Sequence, residues 1–334
     1  MGNLVVEKRD LHLFIVREWG ENYGINQEVL KSLIEFYGAK NVEIAVIPNE
    51  ANIVDFFSNI ITLKTPSRIY VDTRIFIVDA SMFNLVKHLA DVSVINRILK
   101  SNNIIPVCIL LDALQAPGFL LVAELLIHRI GVLIPWGENS PICGFSPNSR
   151  VEDSFNPISF RTATYLRNLT LQKPKDLFLG GLLYEPRKSF IDGVVNELHG
   201  SEIEIAVLPK KTDSYIDYLS ELSKFKIILN TNFIINSSKK HMVARNIEAL
   251  HVGSLLLTQN TPRLKRLFVE GEHYVNMESP SDAATKIKYY LNHQDEAQRI
   301  AMAGQERVIS YARESYFVGS IDRKIDELNL GKKI

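Results

Sequence analysis

Arg245-Asn246-Ile247-Glu248-Ala249-Leu250-His251-Val252-Gly253-Ser254-Leu255-Leu256-Leu257-Thr258 reads as a helix carrying an acidic residue, then a glycine break, then a buried strand. In an α/β fold that order places Glu248 near the end of a helix, beside the cleft where a ligand sits. Working outward, the same texture recurs on both sides. Lys226-Ile227-Ile228-Leu229-Asn230 is a strand ending in Asn, and Leu177-Phe178-Leu179-Gly180-Gly181 is a strand running into two glycines. Downstream, Ser279 caps a helix with Pro280 in its first position and Asp282 three residues after the cap. Ala284, Ile287 and Leu291 line one face of that helix, and Ala297, Ile300, Ala301, Gly304 and Val308 recur at helical spacing in the next.

The first half alternates in the same way. Leu11 to Val16, Val42 to Ile47, Ile75 to Val78, Ile104 to Leu111 and Val132 to Ile134 read as strands. Ile25, Val29, Leu33 and Phe36 mark a helix closed by Gly38. Such alternation predicts a mostly parallel sheet with helices on both faces, and ligands bind outside the carboxyl ends of such strands. The loop Arg17 to Gly24, Asp79 and Asp112 occupy those ends. Between Pro135 and about Lys175, seven prolines and glycines punctuate a polar stretch with one helix near Phe160 to Leu169, the best place for an interdomain connection.

Composition sets the outer limits. The chain has 334 residues, enough for two domains, with 46% hydrophobic and 23% charged residues, as in an ordinary globular protein. A formal net charge of +0 gives no footprint for nucleic acid or an anionic membrane. Cys108 and Cys143 form no CxxC pair, so neither a disulfide framework nor a zinc site is indicated. There is no signal-peptide core, and no apolar run approaches the roughly 18 residues of a membrane span, so a cytoplasmic protein is expected. Trp19-Gly20-Glu21-Asn22-Tyr23-Gly24 is not a GxGxxG fingerprint, which argues against a nicotinamide oxidoreductase. GxxxxGK[ST], HExxH and GxSxG are also missing.

The order and spacing of several segments in the second half carry a family resemblance. Leu177 to Arg187 resembles the strand, glycine turn and arginine that open the donor domain of group-1 glycosyltransferases. Lys226 to Asn230 resembles the strand ending in Asn of the spore-maturation-protein-like branch of that group. Arg245 to Thr258 resembles the branch's R-x-x-E-A-x-x-x-G helix with its following strand. Glu270-Gly271-Glu272-His273-Tyr274-Val275, Tyr289-Tyr290-Leu291 and Ala301-Met302-Ala303-Gly304 continue the match.

The resemblance implies a GT-B architecture of two facing Rossmann-like domains. Residues 1–172 would form the acceptor-side domain and 173–312 the nucleotide-sugar donor domain, with a helix in 313–334 packing back on the first. It implies transfer of a sugar from a nucleoside diphosphate, of the UDP or GDP type, to an acceptor hydroxyl on a glycan or glycoconjugate, without an obligatory metal. Gly180 and Gly181 would let backbone approach the phosphates, with Arg187 and Arg245 as cations. Asn230 would belong to the same donor site, and Glu248 would accept hydrogen bonds from ribose hydroxyls. Retaining members carry a second glutamate eight residues before the ribose-binding one, whereas this chain has Lys240 there, so the double-carboxylate arrangement does not carry over. Glu21 and Asp112 are the candidate bases for an acceptor proton. His241, beside Lys239 and Lys240, reads as part of a solvated helix start. Two other readings stay open: a non-catalytic nucleotide-binding scaffold on the same fold, and a nucleotide-sugar epimerase, which needs no acceptor.

Overall fold

The structure is a computed structural model, and it describes residues 10–21, 24–72, 75, 82–110, 117–135, 149–151, 155, 157–169, 173–181, 183–207, 212, 214–234 and 238–328. The described residues divide into two compact units. The first holds those from 10 to 135, 149–151 and 318–328; the second holds those from 155 to 317.

The first unit runs β1 (His12–Arg17), α1 (Gly24–Tyr37), β2 (Val42–Ile47), α2 (Ile53–Lys64), β3 (Arg68–Asp72), α3 (Met82–Ser101), β4 (Ile105–Leu110), α4 (Pro117–Leu126) and β5 (Val132–Pro135). All its strand pairs are parallel, in the order β2-β1-β3-β4-β5. The order reverses beside β1, so its switch point lies at the carboxyl ends of β1 and β3. The strand expected from Ile75 to Val78 is not the third one. Ile75 falls in a helical turn, 76–78 lie outside the described residues, and β3 starts seven residues earlier. Its polar ends, Arg68 and Asp72, hide a three-residue apolar centre in the sequence. Cys108 lies inside the core of β4, where burial pushes its thiol well up, while Cys143 lies outside the described residues.

The second unit runs α5 (Phe160–Asn168), β6 (Lys175–Leu179), α6 (Arg187–Glu197), β7 (Ile205–Ala206), α7 (Tyr215–Leu222), β8 (Phe225–Asn230), α8 (Ala244–His251), β9 (Leu255–Thr258), α9 (Pro262–Leu267), β10 (Val275–Asn276), α10 (Pro280–Asn292) and α11 (Gln294–Arg313). Its sheet is again parallel, in the order β10-β9-β8-β6-β7. The strand read as Ile203 to Leu208 is shorter here, because only Ile205 and Ala206 pair with β6. Strand alternation sorts the apolar runs onto two cores. Phe178, Ile228 and Leu256 join one, with Ile247 and Leu250 of α8. Leu177, Leu179, Ile227, Leu229, Leu255 and Leu257 join the other, with Phe190, Ile191 and Val194 of α6. Both faces of each strand are covered, which is why the sequence shows unbroken apolar runs rather than alternation.

The stretch 155–169 belongs with this second unit and not with the first, so the junction lies upstream of the expected 172/173 boundary. Phe155, Ile158, Ala163 and Leu166 pack into the α8-side core, and apolar burial outweighs the proline punctuation that suggested a linker. The last helix, α12 (Tyr316–Glu327), carries the chain from Val318 onward into the first unit. There Asp322 accepts from the Tyr37 hydroxyl at 2.7 Å and pairs with Arg68.

Candidate functional site

In the second unit the strand order reverses between β6 and β8, so the crevice outside their carboxyl ends is where a doubly wound sheet binds its ligand. β6 ends there in Gly180-Gly181 and β8 in Asn230-Thr231. The residues singled out from sequence converge on this edge from both helical layers.

Arg187, the first residue of α6, comes from one layer. It is only 4% exposed, so it is no surface residue. Its Nη1 donates to the Thr231 carbonyl and its Nη2 to Asn230 Oδ1, both at 3.1 Å, while its buried Nε has no partner. Every oxygen it meets is neutral. Burial holds its guanidinium below the ordinary arginine range, opposed by Tyr184 and reinforced by Arg245. Gly181 faces it at φ 101°, and a Cβ there would lie 2.8 Å from Arg187 Nη2. Glycine is required at this position twice over, by the backbone and by the guanidinium.

Arg245 comes from the other layer, in the first turn of α8. Its Nε donates to Glu248 Oε2 at 2.7 Å, so the intrahelical ion pair exists. The rest of the group still reaches the edge: a Cβ on Gly180 would lie 2.7 Å from Arg245 Nη1. That Nη1 is buried without a hydrogen-bond partner. Burial works against its charge, but Glu248 and the tyrosines outweigh it and hold the group above its ordinary range. Two guanidiniums from opposite layers therefore flank a diglycine turn, each with a buried N–H unmet.

A set of buried amides fixes this arrangement. Asn230 Nδ2 donates to Asn246 Oδ1 at 2.6 Å and to Asn232 Oδ1 at 3.2 Å, and Asn246 Nδ2 donates to Asn232 Oδ1 at 3.0 Å. Asn232 is tied in turn to Gln259 through its backbone N–H and its amide. With both Nδ2 donors used, Asn230 has to turn Oδ1 toward Arg187. The sequence reading finds Asn230 but not Asn232, Asn246 or Gln259.

Glu248 lies in the same cluster and is 6% exposed. Its Oε1 accepts from the Tyr215 hydroxyl and its Oε2 from the Tyr218 hydroxyl, each at 3.0 Å, in addition to Arg245. Gly253 ends α8 at φ 62°, donating to the Leu250 carbonyl as a helix terminator should. His241 is buried rather than solvated, because its N–H donates to the Asn232 carbonyl and draws it inside; burial and Arg263 lower its pKa to about 4.

In the first unit, Glu21 lies half-buried in the turn after β1, at that sheet's switch point. The turn is fastened by Asn26 Nδ2 to the Gly20 carbonyl at 2.9 Å and by Gln27 to the Glu21 carbonyl. Arg17 is spent on structure, bonding the carbonyls of Ile75, Pro48 and Asn49. Asp79 and Asp112 lie outside the described residues. Among the described residues no group of three His, Cys, Asp or Glu side chains is placed to hold a metal ion, and no helix is long and apolar enough to cross a membrane.

Residues 187–315 match the family model described as "Glycosyl transferase-like". No curated protein matches the chain in sequence. Among solved structures, Anabaena HepE in complex with UDP and glucose is similar, with TM-score 0.58 and 13% identity over 95% of this chain and 98% of that one. A glycosyltransferase from Rickettsia africae gives TM-score 0.57 at 11% identity, covering 95% and 98% of the two chains. Sucrose-phosphate synthase from Thermosynechococcus elongatus gives 0.56 at 12%, covering 96% and 100%. The chain thus has the GT-B fold, with two parallel-sheet α/β units of five strands each among the described residues, and its second unit matches a glycosyl transferase-like domain model.

Proposed function

We propose that the protein is a glycosyltransferase that moves a sugar from a nucleoside diphosphate to an acceptor hydroxyl, with the donor diphosphate held at the diglycine edge of the second unit. One observation carries the reading: Arg187 and Arg245 face Gly180-Gly181 with unmet buried donors, and Arg187 has only neutral oxygens around it. Buried cations without a counter-charge are costly unless an anion arrives. In the transfer, an acceptor oxygen forms a bond to the anomeric carbon as the bond to the diphosphate breaks. The departing diphosphate keeps the electron pair, and the acceptor proton passes to a base. Charge builds on the diphosphate, where preset guanidiniums stabilise it at no reorganisation cost. Glu21, beside the first unit's switch point, is the proposed base, and Asp112 the other candidate.

UDP is the first nucleotide to test, because the similar HepE has been solved with UDP and with UDP-glucose. The resemblance to the spore-maturation-protein-like branch supports a glycan or glycoconjugate acceptor, with synthesis of a polysaccharide or glycoconjugate in the cytoplasm. Calorimetry with UDP, GDP, CDP and dTDP tests the donor half of the proposal. Binding of at least one is expected; a protein that binds none is not a nucleotide-sugar enzyme. Sugar release from the matching donor, dependent on an added acceptor and lost in Glu21→Gln, tests the chemistry.

A further inference from the structure

At the other end of the second unit's sheet, where β6, β8 and β9 begin, a cavity of about 150 Å³ opens between α5 and α11. The strands are parallel, so this end is the one away from Gly180 and Asn230. Leu166 of α5, Ile227 of β8, Val252, and Ala297 and Ala301 of α11 give the cavity an apolar lining. An apolar cavity of this size holds one six-membered ring. Its wall is tied in place: Gln305 Nε2 donates to the His251 carbonyl at 2.8 Å, and the amide lies so close over Gly253 that a Cβ there would sit 3.1 Å from Cδ, Nε2 and Oε1.

The charges on the lining have one sign. Arg167, Lys173 and Lys226 contribute to it and, among the described residues, no Asp or Glu does. Arg167 and Lys226 are paired by carboxylates outside the lining, Glu306 at 2.6 Å and Asp176 at 2.7 Å. Lys173 meets only neutral oxygens: its Nζ donates to the carbonyls of Ser223 at 2.8 Å and Val252 at 2.9 Å and to Ser254 Oγ at 3.2 Å. Burial, with no acid to oppose it, lowers its pKa to about 8. Ser223 and Val252 are the C-caps of α7 and α8, so Lys173 has a structural task in closing two helix ends, whose carbonyls supply partial charge but no counter-ion. That task uses all three of its N–H donors, so an occupant receives charge from Lys173 and not a hydrogen bond. Hydrogen bonds are left to α11, where Gln294 gives one amide N–H to the Leu291 carbonyl at 3.3 Å and keeps a second, and Gln298 follows one turn later on the exposed surface.

We infer that this cavity binds a small ring-shaped molecule carrying one carboxylate, with the ring against the apolar lining and the negative charge answered by Lys173 and the amides of Gln294 and Gln298. A hydroxylated ring such as a hexose has polar groups on every edge and would bury several of them without partners against Leu166, Ile227 and Val252. A neutral apolar ring leaves the Lys173 charge unanswered. No residue of the diglycine edge lines the cavity, so its occupant does not depend on what the donor edge holds.

Benzoate is the probe. It is compared with benzamide, which has the same shape without the charge, with acetate, which has the charge without the ring, and with glucose. Binding is read by ligand-observed NMR on the full chain, and folding by chemical denaturation. Lys173 is left alone because it holds two helix ends. The variants are Gln298→Glu, which sets a like charge on an exposed residue, and Met302→Trp, which fills the cavity from a lining residue that is 47% exposed. Benzoate is expected to bind wild type in the millimolar range, at least about tenfold more tightly than the other three, the weight of one charge-assisted hydrogen bond. Both variants should keep the wild-type unfolding midpoint and lose benzoate by about tenfold or more. The wild-type panel keeps the comparison measurable if Met302→Trp folds poorly. Benzamide bound as tightly as benzoate, glucose preferred over it, or benzoate held equally by wild type and the folded variants overturns the inference, as does no benzoate binding at all. No nucleotide enters the experiment, so a failure here leaves the donor reading standing.

Discussion

Replacing Gly181 by alanine isolates what the diglycine turn does for Arg187. Gly181, Gly200 and Gly271 all have positive φ, at 101°, 80° and 78°, so alanine at each incurs a backbone penalty of roughly 1–2 kcal/mol. Alanine at Gly200 or Gly271 meets nothing within 4 Å, so those two variants measure that penalty alone. At Gly181 the new Cβ would sit 2.8 Å from Nη2 and 3.0 Å from Cζ of Arg187. Restoring an ordinary separation of about 3.5 Å requires the guanidinium to retreat by about 0.7 Å. Its bonds to Thr231 and Asn230 are already 3.1 Å long, so a retreat of that size breaks at least one. A hydrogen bond to a charged group is worth about 1.5–3 kcal/mol, so Gly181→Ala should cost roughly 2.5–5 kcal/mol in total against about 1–2 for the controls. The same displacement withdraws Arg187 from the diglycine edge and, on the proposed donor reading, should weaken UDP binding roughly 10- to 100-fold, while Gly200→Ala and Gly271→Ala should bind as wild type. Chemical denaturation and calorimetry on the three variants give both numbers. If Gly181→Ala loses no more stability than the controls and keeps its nucleotide affinity, Arg187 is not held by this turn and the site reading fails.

Asn246→Ala removes the acceptor of Asn230 Nδ2 and the donor to Asn232 Oδ1 inside a sealed network, and should lower unfolding free energy by roughly 2–4 kcal/mol; a loss under about 1 kcal/mol in denaturation would show the amides are not cooperating. Glu124 and Arg150 form a buried ion pair at 3.0 Å in the first unit, so Glu124→Ala should cost about 1.5–3 kcal/mol through loss of that charge-assisted hydrogen bond, and a near-neutral result in the same assay would contradict that. Burial lowers the pKa of His251 to about 3, so the folded state keeps it neutral while the unfolded chain takes up a proton as pH falls below about 6.5. Stability should therefore decline from pH 6.5 toward pH 3, by at most about 5 kcal/mol from this group, and His251→Asn should flatten the decline; equal slopes for the two proteins would sink the assignment.

Much of this was legible in sequence because parallel strands covered on both faces announce themselves as apolar runs. Ile227-Ile228-Leu229 and Leu255-Leu256-Leu257 need no partner information to be read, and Ser279 caps α10 through Asp282 N at 3.1 Å just as its spacing predicts. β3 escapes because a five-residue strand bounded by Arg68 and Asp72 carries too short an apolar signal. α2 escapes for the opposite reason. Ile53, Phe57 and Ile61 recur every four residues on its buried face, but the further apolar residues Val54, Phe56 and Ile60 blur that period, although Asn52 caps the helix with two backbone hydrogen bonds. The amide network escapes because nothing local marks it: Asn232 meets partners 14 and 27 residues away, and only the return of β8 and β9 to one edge brings them together. Tyr215 and Tyr218 leave a signal, two tyrosines at helical spacing on α7, but a lone pair of that kind reads equally well as core packing.

The two arginines also differ in a way that bears on how a donor would be gripped. Arg245 has a carboxylate to hold its charge, whereas Arg187 has a carbonyl, an amide oxygen and the Tyr184 side chain, and is disfavoured further by Arg245 itself. Arg187, the first residue of α6, is therefore the less favoured of the two charges. On the proposed donor reading, a dianionic bridge would offset that repulsion and give both guanidiniums an anionic partner, whereas a single phosphate would serve one of them. The protein is therefore expected to bind a nucleoside diphosphate more tightly than the matching monophosphate, and equal affinities in calorimetry would count against a two-arginine site. The network of Asn230, Asn232 and Asn246 holds one cation and Glu248 holds the other, so loosening either side should narrow that difference.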